Sequence, residues 1–301
     1  ANASLTAAVL VGPAMTKLTT GDNNGRGSSE LGDFESTSAI PEINIAVSSV
    51  PVQAVTRKLK ATWTPELAQD INAYHAIDAE VELTTILSDI IATEVDREIL
   101  SSLLSGAAVK AAWSRSVGNY VAIQGDGSVA SVSDPGGYST NKGFTGTQSD
   151  WYQTLAETII TVSNEIHKRN LRSGANWLVT SPDVATIIEA IAYFKPNATF
   201  DPTEVQYSLG VEKIGTLTNR FTVYKDPYFP VDKILVGYKG PGFLDAGFVY
   251  APYVPLVFTP TIFEPNDFTP RKGAMTRYAS QMVRPEYFGR IQVTDLGVIG
   301  A

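Results

Sequence analysis

Residues 78–104 read DAEVELTTILSDIIATEVDREILSSLL, a run without proline or glycine. Leu83, Leu87, Ile91, Val95, Ile99 and Leu103 recur every fourth residue, with Ile86, Ile90, Leu100 and Leu104 beside them. That is the period of a helix, not of a strand. Asp78, Glu80 and Glu82 suit the positive end of a helix dipole. Ser105-Gly106 predicts the stop, with the glycine in a left-handed cap. At about 1.5 Å per residue the rod is roughly 40 Å long, beyond the usual globular helix. An every-fourth row drifts around a helix of about 3.6 residues per turn, so no single flat partner covers it. The stretch is either an ordinary core helix or a spine that ties together parts of an extended subunit.

The rest of the chain is β-rich around this rod. Residues 1–33 read as an arm: 16–32 (TKLTTGDNNGRGSSELG) are rich in Gly, Asn, Ser and Thr and lack periodicity. Ile43, Ile45 and Val47 alternate, and Val50, Val52 and Val55 resume the apolar pattern before Arg57, Lys58 and Lys60. This predicts a two-stranded excursion, which is marginal alone and expected to lie on another part of the protein or on another subunit. Thr64-Pro65-Glu66 starts a short helix to about Tyr74. Residues 106–150 are loop-rich, with a hairpin predicted from 120–124 and 128–133. The GDGSVA run at 125–130 has the letters of a dinucleotide fingerprint but no following helix, and reads as a turn.

Thr147-Gln148-Ser149-Asp150 is a capping-box pattern opening a second amphipathic helix, which ends in His167, Lys168, Arg169 and Arg172. Residues 177–180 form an apolar strand, and Ser181-Pro182-Asp183 opens a third helix ending near Phe194. Strands follow at 211–214, 221–224, 234–238, 248–250, 256–261, 275–278 and 291–293, punctuated by prolines. The order of elements indicates an α+β fold.

Composition narrows the function. Hydrophobic content of 44% against 18% charged residues belongs to a folded chain. No apolar run is long enough to cross a bilayer, so no membrane partner is expected, and the start lacks the basic residues of a signal peptide. The absence of cysteine excludes disulfides and thiolate metal sites and fits a reducing cytosol. A net charge of −8 argues against tight non-specific nucleic-acid binding by the whole surface. The two histidines, His75 and His167, lie in separate predicted helices. The acid pairs Asp70/Asp78 and Asp96/Glu98 read as solvated or ion-paired helix faces. With no P-loop, metalloprotease or EF-hand motif, neither an enzyme nor a cofactor or metal is expected. Arg57, Lys58 and Lys60 beside Trp63 read as an ion-pairing edge toward acidic groups of a neighbouring subunit. The dense aromatics from Tyr224 to Phe263 read as core, although Tyr and Arg also favour interfaces.

Five segments, in order, resemble the major capsid proteins of T-even-like contractile-tailed bacteriophages. They are RKLKATWTPELAQD at 57–70 with DAE at 78–80; VYKDPY at 223–228; VGYKG at 236–240; DAG at 245–247 with YAPYVPL at 250–256; and FTPRKG at 268–273 with TRY at 276–278. The resemblance implies the Hong Kong-type capsid fold of tailed phages, with a long spine helix, an extended β loop, and peripheral and axial domains. Mapped onto this chain, 1–33 would be the N-terminal arm and 34–62 the extended β loop. Residues 63–180 would be the peripheral domain with the spine at 78–104. Residues 181–250 would be the axial domain, and 251–301 the strands returning to the peripheral domain. Arg271 and Arg277, inside the last segment, join Arg57, Lys58, Lys60 and Trp63 as candidate subunit-interface residues.

The function so implied is a structural head protein. It would assemble with itself into hexamers and pentamers of an icosahedral shell around packaged phage DNA, contacted non-specifically. Scaffold, portal and prohead protease would act during assembly in the host cytoplasm, a vertex or cement protein would join the shell, and the chain would reside in the virion. Ala1 is compatible with maturation cleavage. A vertex protein, or a tail-tube or sheath subunit, is the alternative. No segment is large enough for the insertion domain of the longer family members.

Overall fold

A computed structural model describes residues 3–9, 46–123, 129–131, 144, 146–196, 210–242 and 245–297. The GDGS turn at 125–128 and most of the expected arm lie outside the described residues. The chain divides into two units, 1–53 and 54–301. In the first, strands β1 (Ala3–Val9) and β2 (Ala46–Val52) form an antiparallel ladder from Ala3 opposite Val52 to Val9 opposite Ala46. The expected two-stranded excursion is therefore built differently. Its first half pairs with β1, within the stretch read as an arm, and its second half, β3 (Val55–Thr62), pairs with a strand more than 200 residues later. Pairing across such separations leaves no local mark in a sequence.

In the second unit, α1 (Pro65–His75) starts where Thr64 caps it, its hydroxyl accepting from the Leu67 N–H, and buries none of its residues. The long helix α2 (Ala79–Gly106) follows, capped by the Asp78 carboxylate on the Glu80 N–H. Its predicted stop is corrected in one respect: Gly106 is the last helical residue, and no left-handed cap follows, since Ala107 has φ −58°. A Cβ at 106 would stand 2.5 Å from Met282 Sδ, the movable end of a flexible side chain.

The drifting apolar row of α2 meets two different surfaces. Leu87, Ile91 and Val95 pack on Leu59, Ala61, Leu256, Phe258, Ala274 and Tyr278. Between two and three turns beyond Val95, at about 3.6 residues per turn, Leu103 and Leu104 pack on Phe229, Leu235, Tyr287 and Phe288, and Ile99 belongs to both clusters. Each surface belongs to a different sheet, so the helix ties them together, the second of the two roles its sequence allowed.

The chain continues through β4 (Val109–Ser114), the short antiparallel pair β5 (Val121–Ile123) and β6 (Val129–Ser131), and α3 (Gln148–Asn170). The capping box at Thr147 and Asp150 is complete, and Leu171 at φ 54° ends α3. Next come β7 (Trp177–Thr180), α4 (Pro182–Glu189) and β8 (Phe194–Pro196). The third helix is thus shorter than expected, because Phe194–Pro196 leaves it to pair as an edge strand with β9 (Glu212–Leu217). The remaining strands are β10 (Phe221–Lys225), β11 (Lys233–Gly237), β12 (Phe248–Phe258), β13 (Ile262–Phe263), β14 (Pro270–Met282) and β15 (Phe288–Thr294).

Two sheets carry the unit. A mixed seven-stranded sheet has the order β4-β15-β11-β7-β10-β9-β8. Ile234, Leu235 and Val236 on its third strand are all fully buried, because both of its faces are covered. Ile234 and Val236 meet the cluster with Leu155, Ile159 and Ile166 of α3 and Val184 and Ile188 of α4. Leu235 meets the end of α2. The expected segments 63–180, 181–250 and 251–301 each contribute strands to this sheet.

The second sheet has four strands: β12, β14 and β13, with β3 on the free side of β14. Its β12 joins what the sequence divided at the prolines. The strand runs through Pro252 and Pro255, and the ladder shifts register between Pro252 and Val254 and again between Val254 and Val257. A proline lacks the N–H that a regular ladder needs, and a bulge absorbs the loss.

Candidate subunit interface

Strand alternation sorts the candidate residues onto two faces of the four-stranded sheet. Along β3, Arg57, Leu59 and Ala61 turn toward α2, while Lys58, Lys60 and Thr62 are exposed. Across the β3–β14 ladder, Arg271 stands opposite Thr62, Gly273 opposite Lys60, Met275 opposite Lys58 and Arg277 opposite Thr56. Opposite residues share a face, so Lys58, Lys60, Arg271 and Arg277 all belong to the side of the sheet away from the helix. Met275 lies among them, with Val257 opposite it on β12, and both are exposed. Arg277 places its guanidinium 5.5 Å from the ring centroid of Tyr253. Arg271 pairs with Glu264.

Arg57 and Trp63 are placed differently. Trp63 is buried, and its backbone N–H donates to the Pro270 carbonyl at 3.2 Å. Arg57 faces its own spine helix: its guanidinium pairs with Glu94 and Glu98, and its Nε donates to the Tyr278 hydroxyl at 2.6 Å. The sequence pointed Arg57 at a neighbour's acids, and in the chain itself these acids lie on α2. The Tyr278 hydroxyl donates in turn to Glu98. That bond, followed by Arg57, holds the Glu98 carboxyl below the usual range, while burial and Glu98 push the Tyr278 hydroxyl up. A second ion pair joins this sheet to α2: Lys272 Nζ donates to the Glu80 carboxylate at 2.9 Å, the Thr261 hydroxyl donates to it at 2.8 Å, and together they lower the Glu80 carboxyl. These partners were invisible in the sequence, since Arg57 and Tyr278 are 221 positions apart.

A further feature had no sequence signal beyond turn residues. Ile262 and Phe263 of β13, and Phe268 in the connection from β13 to β14, are exposed, and Phe268 is left-handed, with φ 56°. The residues considered for catalysis do not converge. His75 and His167 are exposed at the ends of α1 and α3. Asp78 caps α2. Burial, then Asp226, raises the Asp96 carboxyl, while Glu98 is engaged with Arg57. Among the described residues no group of three or more His, Cys, Asp or Glu is placed to hold a metal ion, and no helix is long and apolar enough to cross a membrane.

A spine helix joining a narrow sheet to a broad helix-covered one is an arrangement shared with solved phage structures. A chain of Mycobacterium phage Che8 superposes with a TM-score of 0.53 at 13% identity, covering 96% of this chain and 84% of that one. A chain from the capsid of cyanophage P-SCSP1u gives 0.53 at 10% identity, with 97% and 83% covered. A chain from the mature capsid of bacteriophage PhiM1 gives 0.52 at 11%, with 98% and 82% covered. The fold is the Hong Kong-type phage capsid fold.

Sequence narrows the class further. Residues 2–298 match the family described as Major capsid protein Gp23, and the chain belongs to that family. The major capsid protein of Enterobacteria phage T4 is 32% identical over 212 residues, which cover 68% of this chain and 38% of that protein. That of Vibrio phage KVP40 is 31% identical over 209 residues, with the same two shares. The matched region thus spans well under half the length of these relatives.

Proposed function

We propose that the chain is a structural subunit of a phage head: many copies associate into hexameric and pentameric capsomers that close an icosahedral shell around packaged DNA. The observation that carries this reading is the capsid fold running through almost the whole chain, joined to the membership of the Gp23 family. Contacts between unlike surfaces of identical chains close into rings when the rotation between copies permits. Without disulfides, such a shell rests on burial and ion pairs, with permanent interfaces often above about 2,000 Å².

In this reading the four-stranded sheet and α2 form the peripheral part. The seven-stranded sheet with α3 and α4 forms the axial part, so the axial part takes strands from outside 181–250. Lys58, Lys60, Arg271 and Arg277 form the outward interface face, whereas Arg57 and Trp63 hold that face to the spine. Contact with the genome is weak and non-specific, a reading the net charge of −8 supports. Scaffold, portal, prohead protease and a vertex or cement protein are assembly partners, and the shell forms in the host cytoplasm. The subunit performs no catalysis and uses no cofactor.

Electron microscopy of the purified, concentrated chain tests this. Closed shells or six-fold rings are expected. Helical tubes would replace the head reading with a tail-tube or sheath one, and a species that stays small at every concentration, with or without scaffold, would refute it.

A further inference from the structure

One end of the seven-stranded sheet opens onto a cavity of about 330 Å³. β15 runs parallel to β4, β10 runs parallel to β7, and β11 runs against both β15 and β7. The carboxyl ends of β4, β15 and β7 therefore lie on the same side. Arg115 follows β4, Leu296 and Gly297 follow β15, Asp183 and Ile187 lie on α4 just after β7, and Val231 precedes β11. All six line the cavity. The space outside strand carboxyl ends is where open α/β sheets hold their ligands, and the volume suits a small molecule.

The lining has a definite chemistry. Ile187 is buried, Leu296 packs on the core beneath α3 and α4, and Val231 adds an exposed apolar wall. Two opposite charges stand among them. The Arg115 side chain makes one long hydrogen bond, from Nε to the Tyr152 hydroxyl at 3.4 Å. Asp295, next to Leu296, does not answer it, because its carboxylate already accepts from the Ser114 hydroxyl at 2.6 Å and the Asn119 amide at 3.0 Å. Asp183 suits the first turn of α4, but among the described residues its carboxylate accepts no hydrogen bond. Arg115 and Asp183 line one cavity without pairing with each other. A lone anion in this space would meet Asp183, a lone cation would meet Arg115, and a neutral molecule would leave both charges unanswered.

We propose that the cavity is a binding site for a small apolar zwitterion, an apolar α-amino acid or a peptide of two such residues. Its carboxylate sits on the Arg115 guanidinium, its ammonium on the Asp183 carboxylate, and its side chain on Ile187, Val231 and Leu296. Charge-assisted bonds at both ends fix the orientation, and the apolar walls select the side chain. The site lies within one subunit and needs no second copy, so it stands or falls separately from the head reading.

The test is calorimetry on the dilute whole chain, with L-leucine and L-leucyl-L-leucine as probes. Saturable binding of at least one is expected, with Tm rising as ligand is added. Leucinamide lacks the carboxylate and N-acetyl-leucine lacks the ammonium, and each should bind at least about tenfold more weakly. Arg115→Gln and Asp183→Asn should weaken the zwitterion by a similar factor. Gly297→Leu tests the space itself. A Cβ at 297 meets nothing nearer than Arg115 Nη1 at 3.8 Å, so this variant should keep its Tm and both charges while filling the cavity and abolishing binding. No binding of either zwitterion up to about 10 mM, above the millimolar range of weak ligands, would overturn the site. So would equal affinity for leucinamide or N-acetyl-leucine, or full binding by folded Gly297→Leu.

Discussion

Replacing Arg57 by methionine separates a bond within the subunit from one between subunits. Arg57 donates to Glu94, Glu98 and Tyr278 of its own chain, and its side chain and that of Glu98 are 27% and 32% exposed. Hydrogen bonds to charged groups contribute about 1.5–3 kcal/mol when sheltered and well under about 1 kcal/mol when fully exposed. For this half-sheltered pair we expect a coupling of about 1–2 kcal/mol between Arg57 and Glu98. The assay is urea unfolding of dilute, unassembled chain, run as a double-mutant cycle with Arg57→Met and Glu98→Gln. Arg57→Met alone should lower Tm by roughly 3–6 °C, taking about 2–4 °C per kcal/mol for a large domain. The pH dependence has a definite sign. The Glu98 carboxyl is lowered in the folded chain by Tyr278 and Arg57, so its contribution is full above the ordinary glutamate pKa of about 4.3 and fades as pH falls through the lower folded value. The gap between wild type and Glu98→Gln should close in that acid window. A coupling below about 0.3 kcal/mol in the dilute chain, well under the lower expectation for a sheltered bond, would refute the clamp and return Arg57 to the interface.

Other expectations follow from close packing and capping. Gly237→Ala should destabilise by about 2–3 kcal/mol, because its Cβ would lie 2.2 Å from the indole of Trp177; chemical denaturation reads the loss. Gly106→Ala should be near neutral or stabilising in the same assay, since the obstruction is the flexible end of Met282 and alanine gains about 1 kcal/mol of helix propensity. Thr147→Ala removes one half of the α3 capping box and should cost about 1 kcal/mol, with hydrogen exchange rising first in the opening turn of α3.

Local chemistry determined the helices. The every-fourth apolar row placed α2, and Thr64, Asp78, Thr147 and Ser181 marked four starts, because a helix satisfies its backbone within a few residues and leaves its ends to caps that are neighbours in sequence. The motifs at 57–70 and 223–278 carried the family. The tertiary structure decided which strands pair: β2 with β1, β3 with β14, and β15 between β4 and β11. It also decided that Arg57 turns inward while Lys58 and Lys60 turn out, and that Phe268 is strained and bare. A strand's hydrogen bonds are made to whatever lies beside it, however distant in the chain, and a shift of one residue exchanges its two faces. That choice is settled by the two sheets packing together on α2.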